Sequence, residues 1–226
     1  MHIPDGYLSP QTCGVFAVVM VPIWTAASKI VKKTLKARQV PFLAIGAAFS
    51  FVIMMFNVPI PGGSTGHAVG GVLIAILLGP WAACIAITVA LVIQALLFGD
   101  GGITAIGANC FNMAFLMPFT GYYTYKLICA GHPIGSKRCI VAAGIGAYIG
   151  ICFAAFMAGV ELGIQPLLFH ASNGQALYCP YRINVAVPAM AAEYLLLFGW
   201  VELIVTTLVV KYLQKQNFVF YKSDKS

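Results

Sequence analysis

Gly71-Val-Leu-Ile-Ala-Ile-Leu-Leu-Gly-Pro-Trp-Ala-Ala-Cys-Ile-Ala-Ile-Thr-Val-Ala-Leu-Val-Ile-Gln94 decides the fold. No charge interrupts this stretch, and the silence extends both ways. The 61 residues between Arg38 and Asp100 contain no Lys, Arg, Asp or Glu. That is room for about three helical crossings of a bilayer at ~20 residues each. The Val/Ile/Leu/Ala runs lack the strict alternation of a barrel wall, so the spans are helices, which pair every backbone group internally.

The rest of the 226-residue chain agrees: 61% of residues are hydrophobic and 8% are charged. A soluble domain carries about a quarter of its residues as charges. Gaps between charges predict an all-α, polytopic bundle of seven transmembrane segments, near 11–28, 40–58, 68–79, 81–98, 103–125, 139–160 and 185–210. With no linker or repeat, residues 1–226 read as one membrane domain. The third segment is too short to cross alone, and Gly79-Pro80 divides it from the fourth.

Charge sets the orientation. With the N-terminus outside, one inner loop holds Lys29, Lys32, Lys33, Lys36 and Arg38, and another holds Lys126, Lys137 and Arg138. The inner tail holds Lys211, Lys215, Lys222 and Lys225. Twelve of the 13 basic residues are then cytoplasmic, and Arg182 alone is not. This is the positive-inside pattern, and it fails if segments three and four merge. The net charge of +7 is therefore topology and predicts no nucleic-acid partner. Met1-His-Ile-Pro-Asp-Gly6 has no basic n-region, so a retained first helix is expected in place of a cleaved signal.

The seven cysteines include no C-x-x-C pair; they read as small apolar residues with no disulfide framework. Small residues at four-residue spacing, including Ala44 and Ala48 as well as Ala142, Gly146, Gly150, Ala154 and Ala158, suit close helix packing.

Two outer loops, 59–67 and 99–107, are rich in glycine, and such backbone survives at membrane depth only where it is buried or lines a cavity. His67 closes the first loop. His132 and His170 read as ordinary loop residues. His2 differs because a free α-amine, the amide nitrogen of residue 2 and the imidazole Nδ1 of residue 2 form two fused chelate rings. Such planar nitrogen donors suit Ni(II) or Cu(II). Pro4 offers no competing N–H and biases Ile3 towards extended backbone. The fourth in-plane nitrogen must come from elsewhere, and His67 lies on the same side.

Met1-His-Ile-Pro-Asp-Gly-Tyr-Leu8, Gly66-His-Ala-Val-Gly-Gly71, Leu78-Gly-Pro-Trp81 and Gln94-Ala-Leu-Leu-Phe-Gly-Asp-Gly-Gly102 resemble the CbiM/NikM family, the substrate-capturing membrane subunits of nickel and cobalt energy-coupling-factor transporters. The resemblance implies a seven-helix fold whose N-terminus enters the outward-facing cavity. It implies ligation of the substrate metal by Met1 (amine), His2 (amide and imidazole) and His67 (imidazole), with nickel favoured and cobalt as the alternative. It implies a bacterial or archaeal cell membrane and three kinds of partner: a transmembrane coupling subunit, a cytoplasmic ATPase pair and a small accessory membrane subunit. An Ala-x-x-x-Ala face docks the coupling subunit in related proteins, and Ala44 with Ala48 matches that pattern.

The residues weigh against other classes. There is no G-x-x-x-x-G-K-[ST] or H-E-x-x-H motif, so neither an ATPase nor a zinc hydrolase is expected. A self-sufficient channel or carrier usually threads ionisable residues through several spans. Here Glu193 and Glu202 alone are expected within a span. Nine residues apart on the seventh helix, they are expected on opposite faces, with Glu193 the better placed to orient a ligand imidazole. Asp100 and Asn109 are expected to brace the second glycine-rich loop.

Overall fold

The structure, a computed structural model, describes residues 1–60, 64–133 and 135–216. Pro61, Gly62 and Gly63 of the first glycine-rich loop, and Lys222 and Lys225 of the basic tail, lie outside the described residues.

Helix begins at residue 10. Ser9 caps α1 (Pro10–Thr34) by accepting the Thr12 N–H at 3.1 Å, while Pro10 opens the first turn and Lys32 and Lys33 fall in the last. Each choice serves a helix end: an oxygen for an orphan donor, a proline that lacks the orphan N–H, cations at the negative pole. A 3-10 turn (Ala37–Gln39) leads into α2 (Val40–Met54). Next comes an antiparallel hairpin, β1 (Val58–Ile60) with β2 (Ser64–Gly66), where irregular backbone was expected and α2 was expected to run on to 58. β-branched residues around Pro59 favour extended backbone over another helical turn.

Helix α3 (Gly71–Leu78) stops at Gly79, whose φ of +94° breaks the rod, and Pro80 starts α4 (Pro80–Ile93). A π segment (Gln94–Phe98) extends α4. Then α5 (Ile106–Asn109), a second π segment (Cys110–Leu116) and α6 (Met117–Cys129) run on without a break. Helix α7 (Lys137–Gly163), capped by Ser136, is followed by the short α8 (Gln165–Leu168). Finally α9 (Ile183–Glu193), a third π segment (Tyr194–Phe198) and α10 (Gly199–Lys215) make one long rod.

The described residues thus fall into seven helical segments, close to those expected. Five of them are long and apolar enough to cross a membrane: Pro10–Thr34, Ala37–Met54, Pro80–Phe98, Lys137–Leu168 and Ile183–Lys215.

Helix α7 is the axis of the bundle, with α6, α9 and α10 packed on it. Its small-residue stripe serves that packing. A Cβ on Gly146 would lie 2.5 Å from the Gly121 carbonyl oxygen of α6, and one on Gly150 would lie 2.7 Å from that of Met117. Without a hydrophobic drive between helices in lipid, such close backbone approach is a main source of helix adhesion. Ala142, Ala154 and Ala158 are buried with them, whereas Ala44 and Ala48 on α2 are exposed.

Two expectations change. Cys129 and Cys139 are joined by a disulfide, because the tight turn between α6 and α7 brings their Cα atoms to 4.8 Å. A ten-residue spacing gave no such signal. The other five cysteines are free, and all but Cys152 are buried. The first six segments also do hold a carboxylate: α7 continues past 160 and carries Glu161 into the interior. There Asn112 Nδ2 donates to Glu161 Oε2 at 2.8 Å.

Candidate metal centre

Residues 1–9 form no helix. Pro4 cannot donate, Gly6 takes a φ of +82°, and the segment runs into the bundle as an extended plug. Main-chain groups buried there need partners, and the neighbouring loops supply them. Asn109 holds both polar groups of one residue: its Oδ1 accepts the Ile3 N–H at 2.8 Å, and its Nδ2 donates to the Ile3 carbonyl at 3.1 Å. The Gly102 N–H donates to the same carbonyl at 2.9 Å. Gly102 must be glycine, since a Cβ would lie 2.6 Å from the Asp5 nitrogen.

Further along, the Asp5 carboxylate accepts the N–H groups of Ile103 at 3.1 Å and Thr104 at 2.8 Å. The Thr104 hydroxyl and these amides hold its pKa below the ordinary carboxylate range. Cys179 N–H donates to the Tyr7 carbonyl at 3.1 Å, and Gln165 Oε1 accepts the Ser9 N–H at 3.0 Å. Every few residues the plug is pinned to a different part of the bundle.

His67 is held as firmly from the other side. Its N–H donates to the Tyr194 hydroxyl at 3.1 Å, and that hydroxyl donates to the Thr65 carbonyl at 3.3 Å. The Glu202 carboxylate accepts the Val69 N–H at 3.1 Å and the Gly70 N–H at 2.7 Å. Ser50 Oγ donates to the Val69 carbonyl at 2.8 Å. His67 Nδ1 lies 3.1 Å from the Ala68 carbonyl. Donation there leaves Nε2 as the nitrogen with a lone pair. Nε2 is buried and has no hydrogen-bond partner among the described residues.

Plug and loop meet at two rings. The His2 and His67 imidazoles lie with centroids 4.5 Å apart and planes 31° apart. Met1 and His67 are fully buried and His2 is 3% exposed. His2 Nδ1 lies 3.5 Å from Asp100 Oδ1, and Asn57 donates to the other Asp100 oxygen at 3.3 Å. Burial pushes the Met1 amine well below its ordinary pKa, opposed by the nearby Asp100 and Glu193. Burial, then the amine beside it, lowers His2 to about 3. Burial also lowers His67. Burial pushes Asp100 upwards. The site therefore favours neutral nitrogens with lone pairs, the form in which nitrogen binds a metal. Among the described residues no three His, Cys, Asp or Glu side chains gather on one point. Two imidazoles are what the fold brings together.

The family model described as the cobalt uptake substrate-specific transmembrane region matches residues 2–218. The chain belongs to the CbiM family. This membrane family transports nickel and cobalt. Among CbiM-family relatives, the chain is 54% identical over 217 residues to the probable fused nickel transport protein LarMN of Lactiplantibacillus plantarum, covering 95% of this chain and 65% of that one. It is 53% identical over 217 residues to the fused nickel transport protein NikMN of Rhodobacter capsulatus, covering 96% of this chain and 62% of that one. The chain thus spans a little under two thirds of the length of these relatives. The cobalt transport protein CbiM of Lachnoclostridium phytofermentans is more distant, at 33% over 198 residues, covering 83% of this chain and 76% of that one. The crystal structure of a truncated transition metal transporter superposes with a TM-score of 0.92 at 56% identity, covering 96% of this chain and 99% of that one.

Two features of this CbiM-family site run against the sequence reading. Glu193 and Glu202 do not diverge. A Cβ on Gly66 would lie 2.5 Å from Glu193 Oε1, so both carboxylates reach the segment around His67. The π segment between them turns the chain less per residue than the ~100° of an α-helix, which removes the expected opposition. Among the described residues Glu202 braces the loop, through the Val69 and Gly70 main-chain amides. Tyr194 also escaped the sequence, since a tyrosine in an apolar span carries no signal of its partner.

Proposed function

We propose that this chain is the capture subunit of an ATP-driven importer and binds Ni(II) as substrate, with high affinity, on four nitrogens. The donors are the Met1 amine, the His2 amide and imidazole nitrogens, and the His67 imidazole. The convergence of the buried plug and the buried His67, with ring centroids 4.5 Å apart, carries the reading. A metal that displaces the His2 amide proton closes two fused rings in one plane, and the lone pair of His67 Nε2 fills the fourth position. Planar nitrogen coordination suits low-spin Ni(II), and Cu(II) by the general affinity order. The nickel names of the more similar relatives favour nickel. Cobalt is the second reading, supported by the description of the family model.

In this reading seven segments cross the cell membrane with the N-terminus outside and the tail in the cytoplasm. The coupling subunit docks on the exposed face of α2 that carries Ala44 and Ala48. An ATPase pair and a small accessory membrane subunit complete the transporter.

The test is nickel titration of the purified chain. One equivalent should bind with the yellow, diamagnetic spectrum of square-planar Ni(II). His2→Ala and His67→Ala should each abolish that spectrum. Its persistence in either variant would remove that residue from the ligand set.

A further inference from the structure

Glu161 takes no part in the metal reading, and its surroundings are unusual for a carboxylate. It lies in the last turn of α7, buried, against the second π segment. Asn112 of that segment is fully buried and donates from Nδ2 to Glu161 Oε2 at 2.8 Å. The other two oxygens of the pair, Glu161 Oε1 and Asn112 Oδ1, are also buried. Among the described residues neither has a hydrogen-bond partner, and no Lys, Arg or His lies within ion-pair distance of the carboxylate.

The elements packed round this end of α7 hold few other titratable groups. Arg182, which precedes α9, is exposed. Cys13 of α1 turns its thiol to the Leu8 carbonyl at 3.9 Å, Cys110 is a buried free thiol, and Asp5 of the plug is engaged by Ile103 and Thr104. No positive charge compensates Glu161.

A buried charge without a partner is far costlier than a buried neutral group. An amide oxygen has no hydrogen to give, and neither has an ionised carboxylate. What both orphan oxygens lack is one hydrogen. Carried on Oε1, it makes Glu161 a donor with Asn112 Oδ1 as the acceptor. Carboxylic acid and carboxamide then close an eight-membered ring with hydrogen bonds in both directions. Closing it needs only a turn about the terminal torsions of the two side chains, which are broad. A water in that place would serve the hydrogen bonds and leave the charge.

We propose that Glu161 and Asn112 form a proton-binding site, in which the carboxyl carries its proton in the folded chain and shares it with Asn112 Oδ1. The proton joins two segments that pin the plug. Asn109, three residues before Asn112, holds Ile3. Gln165, four residues after Glu161, accepts the Ser9 N–H and donates to the Glu161 carbonyl at 2.9 Å. An exposed glutamate ionises near pH ~4.3, so above that pH unfolding releases the proton to solvent, and stability falls as pH rises.

Infrared spectroscopy of the full, metal-free chain, labelled with carbon-13 at the glutamate carboxyls, tests it; Glu161, Glu193 and Glu202 are its glutamates. At about pH 7 the unaltered chain should show a label-sensitive C=O stretch of a protonated carboxylic acid that Glu161→Gln lacks. Glutamine there donates to Asn112 Oδ1 and accepts from Nδ2, so the variant keeps both hydrogen bonds without the titration. Glu161→Met, apolar and of similar length, is the second reference. Denaturation between about pH 5 and about pH 8 adds a readout that packing alone does not move. The unfolding equilibrium constant should rise about tenfold more per pH unit in the unaltered chain than in Glu161→Gln. Absence of the acid band from the unaltered chain, an equal band in either folded variant, or equal pH slopes overturns the proposal.

Discussion

Asn109 does at residue scale what the plug needs most. By holding the N–H and the carbonyl of Ile3 together, it fixes the peptide next to His2 and with it the direction of the first two residues. Removing a group that orients a metal ligand without touching the metal typically costs 10–100-fold in affinity. Asn109→Ala should weaken nickel binding by that order, measured by competition with a chelator, while helicity by circular dichroism stays within error. Unchanged affinity would mean that the plug is held by its other pins. The titrating groups give a second prediction at this scale. The Met1 amine, His2 and His67 all sit below their ordinary pKa values because they are buried. Protons compete with a metal only below the pKa of the folded site, so lowered values move that competition to lower pH. Nickel binding by the chain should therefore survive to a more acidic pH than binding by the free peptide Met-His-Ile. An acid midpoint equal to or above that of the peptide would show that burial does not protect the nitrogens.

Among the elements, the rod formed by α9, a π segment and α10 matters most for the site, because Glu193, Tyr194 and Glu202 all reach the His67 segment from it. Glu202 is buried and accepts two main-chain amides. Glu202→Ala leaves both donors unpaired at about 1–3 kcal/mol each, so a loss of about 3 kcal/mol is expected in denaturation of the detergent-solubilised chain. Glu202→Gln keeps one acceptor oxygen and should lose about 1 kcal/mol. Equal losses for the two variants would assign the role of Glu202 to packing and not to amide capture. This rod also shows what the sequence could and could not reveal. Charge gaps and Gly79-Pro80 marked the helical segments, because lipid tolerates few polar interruptions. The π segments were not legible: they change the phase of a helix without changing its composition, so the faces of Glu193 and Glu202 came out wrong. Glu161 was missed for a related reason, since nothing in an apolar run marks whether its last turn is inside or out. The hairpin and the Cys129–Cys139 bond depend on tertiary approach between segments whose spacing alone is uninformative. Chelate geometry and glycine-rich loops pointed to His2 and His67, whose rings do lie together, whereas Asn109, expected to brace the second of those loops, holds Ile3 of the plug instead.

On the scale of the whole molecule, the bundle holds the first three residues of the chain against the His67 segment, which the proposed reading makes a preformed set of nitrogens. Pins from 99–109, Gln165 and Cys179 fix the plug, and the α9–α10 rod fixes His67, so much of the ordering entropy of the ligands is met on folding and not on binding. The cost is a site that depends on where the chain starts. One extra residue before Met1 removes the primary amine and must fit into a space in which Met1 is already fully buried. Binding that favours the folded state also stabilises it, by about 2.7 kcal/mol at a hundredfold excess over the dissociation constant. The most direct measurement is therefore the nickel-dependent melting of the chain with a free Met1 amine beside the same chain acetylated on that amine. The account predicts that one equivalent of nickel raises the melting temperature of the first by several degrees and leaves the second unmoved. An equal rise in both would contradict it, because a metal that ignores the acetyl group does not bind the Met1 amine.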